Sequence, residues 1–190
     1  PLVDEVKEES VDNTALEAIV KKSLEKTNGR YAVAIKNFQT GEEYYQDEHL
    51  VFEAASLYKL WVMLTVFDQM NAGKFDENTN MKAKVEELNE RFDIASEAAE
   101  LKEGEVEMKV GDALNRMITA SNNYAALLLS AKVRLSSVNN QLIKYNLSES
   151  TLNPPKTTAH DVLKFYELLY NDDLIDKESG EKMISLLAGQ

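Results

Sequence analysis

Between Ser56 and Met70 the chain reads SLYKLWVMLTVFDQM. At helical spacing this puts apolar residues on nearly every face, so the segment has no side that prefers water and other elements must enclose it all round. A chain of 190 residues, 44% of them hydrophobic, is long enough to do this within one domain. Its longest apolar run, Leu60–Phe67 with Thr65 inside it, is too short to span a bilayer. With only 7 Gly and 3 Pro, collagen-like and low-complexity readings fail.

The elements around this helix follow from changes of period. Residues 1–10, acidic and aperiodic, are expected to be frayed. From Asp12 the spacing of Leu16, Ile19, Val20 and Leu24 is helical, with Asp12 or Asn13 as cap and Asn28-Gly29 as stop. Tyr31, Val33 and Ile35 then alternate as a strand, and Glu43–Phe52 is its expected antiparallel partner. Asn78–Gly111 is charged and predicts helix, broken near Lys102-Glu103-Gly104. Val110–Ala120, Tyr124–Val133 and Ser137–Tyr145 predict three further helices. A connector over Asn146–Pro155 leads to a helix capped by Thr157 or Thr158 and ending near Tyr170, and Asp176–Leu187 predicts a last one. A two-stranded hairpin is marginal alone. No third strand is read before Gln190, so the strands completing its sheet are expected outside this chain.

Several chemistries are excluded. The net charge is 21 − 33 = −12 with no basic stripe to offset it, which argues against nucleic-acid partners. There is no Cys, hence no thiol catalysis, disulfide or Cys-ligated zinc. The two histidines, His49 and His160, are far apart in sequence and form no metal-ligand motif, so no metal or other cofactor is expected. His160 is expected on an exposed first turn. Glu97–Glu107 reads as a solvated face.

Ser-x-x-Lys occurs three times, at Ser23/Lys26, Ser56/Lys59 and Ser179/Lys182, where about one match is expected by chance. Only Ser56/Lys59 follows a strand and opens the buried helix. Residues i and i+3 share a face, so the Lys59 amine can reach the Ser56 oxygen. Desolvation favours the neutral amine and thus a base, and the N–H groups of the helix start surround Ser56. The plain alternative is that Ser56 caps the helix and Lys59 snorkels. Ser121-Asn122-Asn123, within MITASNNYAALLL, joins two apolar helices, where a hydroxyl and a carboxamide can project into a cleft. Ser137-Val138-Asn139 is a second Ser-x-Asn without that setting.

FEAASLYKL (Phe52–Leu60), MITASNNYAALLL (Met117–Leu129) and TTAHDVLKF (Thr157–Phe165) together resemble the penicillin-recognising serine acyl-enzymes, in particular their class A β-lactamase-like branch. The resemblance runs from about Asp12 to Gln190. It implies an α/β (α+β) fold of the β-lactamase/transpeptidase type, an antiparallel sheet flanked by helices plus an all-α lobe, with the sheet incomplete in this chain. Residues 1–190 then form one domain: 12–55 the helix and hairpin of the α/β part, 56–172 the all-α part, 173–190 a return helix. Ser56 resembles the nucleophile, Lys59 the amine that helps deprotonate it, and Ser121 the hydroxyl that relays a proton to the leaving nitrogen. Asn123 resembles the amide that holds the substrate carbonyl and Lys59. Position 122, usually Asp in the family, is Asn here.

Two departures from the family follow. The Lys-Thr/Ser-Gly motif is absent, and Lys177-Glu178-Ser179-Gly180 does not replace it because it has an extra residue in a helical context. A C-terminal segment is therefore expected to supply the remaining strands and an oxyanion-hole N–H. Glu149-Ser-Thr-Leu152-Asn153 matches the pattern of the deacylating Glu, but only Pro154, Pro155 and Lys156 separate it from Thr157, where the family's Ω-loop is much longer. Glu149 is therefore a candidate base, and without it the acyl-enzyme should be long-lived. The implied substrate is a β-lactam or a peptidoglycan stem peptide, handled by an exported protein whose targeting segment is not in this sequence. A β-lactamase, a D,D-peptidase and a non-catalytic binder on the same scaffold remain open.

Overall fold

A computed structural model describes residues 13–190; the expectations for residues 1–10 and for Asp12 as a cap lie outside them. The apolar segment becomes α2 (Tyr58–Asn71), entered through one 3₁₀ turn at Ala55–Leu57. Ten of its fourteen residues are buried, Lys59, Thr65 and Gln69 among them. Enclosure comes from α4 (Val110–Thr119), α5 (Asn123–Val133), α6 (Leu135–Lys144) and α8 (Lys177–Ala188), which pack around α2 or one another. The buried polar groups of α2 are satisfied locally: Thr65 donates to the Trp61 carbonyl at 2.8 Å and Gln69 to that of Val133 at 3.0 Å. Among the described residues no helix is long and apolar enough to cross a membrane.

The second half is thinner. After α1 (Thr14–Leu24), β1 (Val33–Lys36) pairs antiparallel with β2 (Glu43–Gln46) in the register Val33↔Gln46 to Lys36↔Glu43. Among the described residues β1 pairs with no other strand. Asn13 stands at the start of α1, yet its side chain accepts from the Glu43 N–H at 2.8 Å, tying the helix to β2 instead of capping it. On one face of the hairpin Lys36 pairs at 2.6 Å with Glu167 of α7 (Ala159–Tyr170). Thr158 caps α7 as expected, accepting from the Asp161 N–H at 3.1 Å. Helix α7 also serves the lobe, where Phe165 meets Trp61 edge-on at 5.2 Å.

Three expectations are corrected. The partner strand does not run to Phe52: β2 stops at Gln46, where Asp47 turns with φ 50°, and Phe52–Glu53 forms a separate β3. Strand β3 pairs with β7 (Pro155–Thr157), which pairs with β6 (Thr151–Leu152), so the connector carries two short strands. Most clearly, 78–111 is not mainly helical. Asn80–Lys84 (β4) and Glu105–Lys109 (β5) form an antiparallel pair flanking one short helix, α3 (Val85–Arg91). Met81 and Val106 turn inward while Lys82 bridges Glu105 and Glu107 outside, so the acidic run is partly a strand and not simply a solvated face. Strands therefore do occur beyond the hairpin, though none of them joins its sheet. The predicted break at Gly104 is real, with φ 114°.

Candidate active site

Buried helix α2 presents Lys59 towards the α4–α5 junction, and that junction exists because the two helices cannot run through it. Helix α4 ends at Thr119, Ser121 turns with a positive φ of 51°, and the Asn122 side chain caps α5 by accepting from the Ala125 N–H at 2.8 Å. Asn122 thereby starts the helix that carries Asn123. Ala55, directly before Ser56, is also in the left-handed region at φ 45°. Each such residue costs of order 1–3 kcal/mol unless its surroundings hold it there, and strain of this kind gathers at functional sites.

The four residues singled out in the sequence meet. Lys59 Nζ donates to the Ser121 carbonyl at 2.6 Å, to Ser121 Oγ at 2.9 Å and to Asn123 Oδ1 at 2.9 Å. Ser121 Oγ in turn donates to Ser56 Oγ at 2.9 Å. Lys59 is 3% exposed, whereas Ser56, Ser121 and Asn123 face solvent, so the amine is sheltered and the Ser56 hydroxyl accessible. The expected direct reach from Lys59 to Ser56 is corrected: Ser121 stands between them and the order is Lys59–Ser121–Ser56. Burial lowers the Lys59 pKa from its ordinary 10.5, with the negative charge of Glu100 acting in opposition.

Glu100 is the residue the sequence reading missed. It accepts a short hydrogen bond from Asn123 Nδ2. Because the Lys59 amine donates here and a Glu100 carboxylate oxygen accepts, the Asn123 amide has one orientation, with Oδ1 on Lys59 and Nδ2 on Glu100. The loop carrying Glu100 is fastened at its neighbour. The Leu101 N–H donates to the Tyr124 hydroxyl at 3.2 Å, and the Leu101 carbonyl accepts from Tyr124 at 2.8 Å and from Asn89 at 2.9 Å. The single Tyr124 hydroxyl proton is shared between the Leu101 carbonyl and Asn89 Oδ1, which lies 2.9 Å away, and Tyr124 and Asn89 are both buried. The available signal was Tyr124 directly after the Ser-Asn-Asn string: a buried phenol needs a polar partner, and the loop supplies it.

Glu149 lies elsewhere. Its carboxylate accepts from His49 at 2.7 Å and from the Thr158 hydroxyl at 2.7 Å, and it makes no hydrogen bond to Ser56 or Lys59. Burial alone would raise its pKa, but the hydrogen bonds from Thr158 and His49 outweigh this and hold it below the ordinary value. The histidines, 111 positions apart, have rings 4.5 Å apart with Glu149 beside both. A 240 Å³ cavity lies against Tyr58, Leu127, Leu152 and Pro155, and none of Ser56, Lys59, Ser121 or Asn123 lines it.

A helical lobe with a lysine–serine–serine chain at its edge can be set beside known proteins. PBP-A matches with a TM-score of 0.78 and 16% identity over 93% of this chain and 69% of its own. A variant of it, solved as an acyl-enzyme complex with penicillin G, matches equally well. A β-lactamase from Sphaerobacter thermophilus DSM 20745 gives 0.79 and 21% over 95% and 71%. At these identities the likeness establishes the fold, a β-lactamase/transpeptidase-type α/β architecture. The comparison with curated sequences returns no match. The model of the beta-lactamase enzyme family, however, matches residues 14–190, nearly everything from α1 onward, and the chain belongs to that family.

Proposed function

We propose that the protein is a serine hydrolase of the acyl-enzyme type, with Ser56 as nucleophile towards β-lactams or peptides ending in D-Ala-D-Ala. The observation that carries this is the Lys59–Ser121–Ser56 chain, with both hydroxyl links at 2.9 Å. Hydroxyl hydrogens rotate to suit their partners, so the chain can run in either direction. With Lys59 neutral, its two N–H groups remain on the Ser121 carbonyl and Asn123 Oδ1, and its lone pair accepts from Ser121 Oγ. The Ser56 proton then moves to Ser121 as the Ser121 proton moves to Lys59. Ser56 Oγ adds to the substrate carbonyl, the C–N bond breaks, and the leaving nitrogen takes its proton from Ser121, which Lys59 reprotonates to return to the neutral amine. The lowered Lys59 pKa favours the state this relay needs. The Asn123 amide has a second N–H for a substrate carbonyl, while Glu100 holds the first.

Oxyanion stabilisation needs donors aimed at the tetrahedral oxygen; the Ser56 N–H supplies one and the segment completing the sheet the other. That segment is C-terminal and adds strands along the unpaired edge of β1. There an apolar groove of about 590 Å³ runs between Val33, Ala34, Phe52, Leu57, Val162 and Tyr166. With the Glu149 carboxylate engaged by His49 and Thr158, deacylation is slow and the acyl-enzyme persists, as suits a D,D-peptidase acting outside the cytoplasmic membrane. The competing reading, a binder on the same scaffold, draws on the unpaired edge of β1.

The test is an intact-mass time course with penicillin G on the longest natural form of the chain. A one-to-one adduct that persists for minutes or longer and is absent in Ser56→Ala is the expected result. An adduct that decays within seconds would make the protein a β-lactamase instead. No adduct, with penicillin affinity unchanged by Ser56→Ala, would establish the binder.

A further inference from the structure

We propose that His49, Glu149 and His160 form a binding site for a divalent transition-metal ion of the zinc type. One potential ligand atom from each lies within 4.8 Å of the other two. His49 Nδ1 is 2.7 Å from Glu149 Oε1, and His160 Nδ1 is 3.6 Å from Glu149 Oε2. At zinc–nitrogen and zinc–oxygen bonds near 2.1 Å, tetrahedral ligand atoms stand about 3.4 Å apart, so side-chain adjustment alone brings these three onto one ion. Two imidazoles and one carboxylate with solvent on one side make the donor set that zinc, cobalt and nickel prefer over magnesium and calcium.

A second observation points to the same place. His160 Nδ1 and Asp161 Oδ1 are both buried, 3.4 Å apart, and neither has a hydrogen-bond partner among the described residues. Asp161 is wholly buried, and its other oxygen accepts from the Glu149 N–H at 3.0 Å and from Ser150 Oγ at 2.8 Å. Buried polar atoms without partners are costly in native folds. A cation bound by His160 Nδ1 beside Asp161 would answer both, and the charge of Asp161 would add to its attraction. Outer support is present as well: His49 Nε2 lies 3.5 Å from Glu48 Oε1, the kind of carboxylate contact that orients a ligating imidazole. The Glu48 carbonyl accepts from the His160 N–H at 3.0 Å, so the histidine-bearing segments are already held together without the side chains.

The ion would pin three separate pieces of chain: the loop after β2, the connector and the first turn of α7. The same connector holds the Ser56 turn through the Ala54 N–H to Pro155 carbonyl bond at 2.9 Å. Metal binding would thus stiffen the segment behind the nucleophile and commit Glu149 to a structural task. The proposal does not depend on acylation chemistry, because its readout is metal bound and stability gained.

The experiment is equilibrium dialysis of the purified protein against Zn²⁺ at pH 7.5 with metal analysis, alongside thermal unfolding. One ion per chain is expected, together with a rise in Tm of roughly 5–10 °C at a hundredfold excess over Kd. His49→Ala and His160→Ala should each weaken binding at least tenfold, and Co²⁺ should give the intense visible absorption of a four-coordinate site. Wild-type protein that takes up no stoichiometric Zn²⁺ would overturn the proposal. So would a His49→Ala/His160→Ala double variant that binds as tightly as wild type, or Mg²⁺ binding as tightly as Zn²⁺. Melting the variants without metal separates lost ligands from lost fold.

Discussion

Val62 and Ile35 are both β-branched aliphatics in regular secondary structure, yet Val62 is 0% exposed in α2 and Ile35 is 36% exposed in β1. The contrast holds for the regions around them. The helical lobe buries Trp61, Met63, Leu64, Met117, Leu129 and Met183 completely or nearly so. In the hairpin no residue of β1 or β2 is buried, Tyr45 standing open, and Ile19, Tyr166 and Tyr170 of the surrounding elements are open too. Apolar residues are thus spent in both halves but enclosed in only one. The lesson concerns the candidate site: Lys59, Ser121, Asn123 and Glu100 all come from the enclosed half and its edge, so the proposed proton relay rests on the finished core, while the proposed second oxyanion donor belongs to the unfinished sheet.

The strongest way to break this contrast is to empty the lobe. Trp61→Ala removes a fully buried side chain packed edge-on against Phe165 and is expected to cost about 3–5 kcal/mol of stability. Penicillin acylation should fall with the folded fraction. Chemical denaturation monitored by circular dichroism measures the loss; a cost under about 1 kcal/mol would mean the lobe is not the stabilising half.

Next in size is Lys59, the proposed base. Lys59→Met should lower the acylation rate by roughly 10²–10⁴-fold, the range for removing a positioned base, while the adduct, once formed, still maps to Ser56. Lys59 also leaves a mark on stability. Burial depresses its pKa, so the folded protein releases this proton at lower pH than the unfolded chain does. In the window between the depressed value and 10.5 the unfolded state binds more protons, and stability therefore rises with pH there. Because lysines and tyrosines with raised pKa values act the opposite way at the alkaline end, the check is the difference: wild type minus Lys59→Met denaturation midpoints should grow from pH 7 to 10.5.

The difference between the halves also explains what the sequence could reveal. The lobe was legible because the Ser56–Met70 segment, apolar on nearly every face, reads as a buried helix, and Ser56, Lys59, Ser121 and Asn123 follow from its ends and neighbours. Strands β4 and β5 were hidden because Lys, Glu, Met and Ala favour helices. The period-two signal in NMKAK and EVEMK spans only five residues each, separated by a genuine helix. Glu100 sat in an acidic run, and its distinction, a neighbour clamped by Asn89 and Tyr124, is a tertiary fact. The His49–Glu149–His160 cluster was invisible for the same reason, since local sequence carries no trace of a pairing across 111 positions.

A smaller effect is expected at Glu100, where lobe and solvent meet. Its negative charge favours the Lys59 ammonium, opposing burial. Removing the charge in Glu100→Gln should move the Lys59 pKa further down and make the neutral amine available at lower pH. The acidic limb of the acylation profile should then shift to lower pH, raising the rate on that limb by a factor of roughly three, about 0.6 kcal/mol. The amide of the variant can still accept from Asn123 Nδ2, so the geometry is kept. A limb that moves to higher pH would show that Glu100 matters chiefly for orienting Asn123.

The smallest effect is expected where the contrast began. Ile35→Thr changes a partly exposed side chain on a strand with no buried residue, and Thr has the same β-branch and a similar strand propensity. The exposed face offers the new hydroxyl water, so no buried polar group is created, and the change in stability should lie within about 0.5 kcal/mol. Measured on residues 1–190, a cost of about 2 kcal/mol or more would mean that the β1 face is covered in solution, by a second copy or by chain packed along it. Sedimentation of the same sample would separate those outcomes. Repeating the substitution in a longer form that carries the proposed strands sharpens the test. There Ile35→Thr should cost more than in residues 1–190, since a neighbouring strand's side chains flank it, whereas Trp61→Ala should cost nearly the same in both forms.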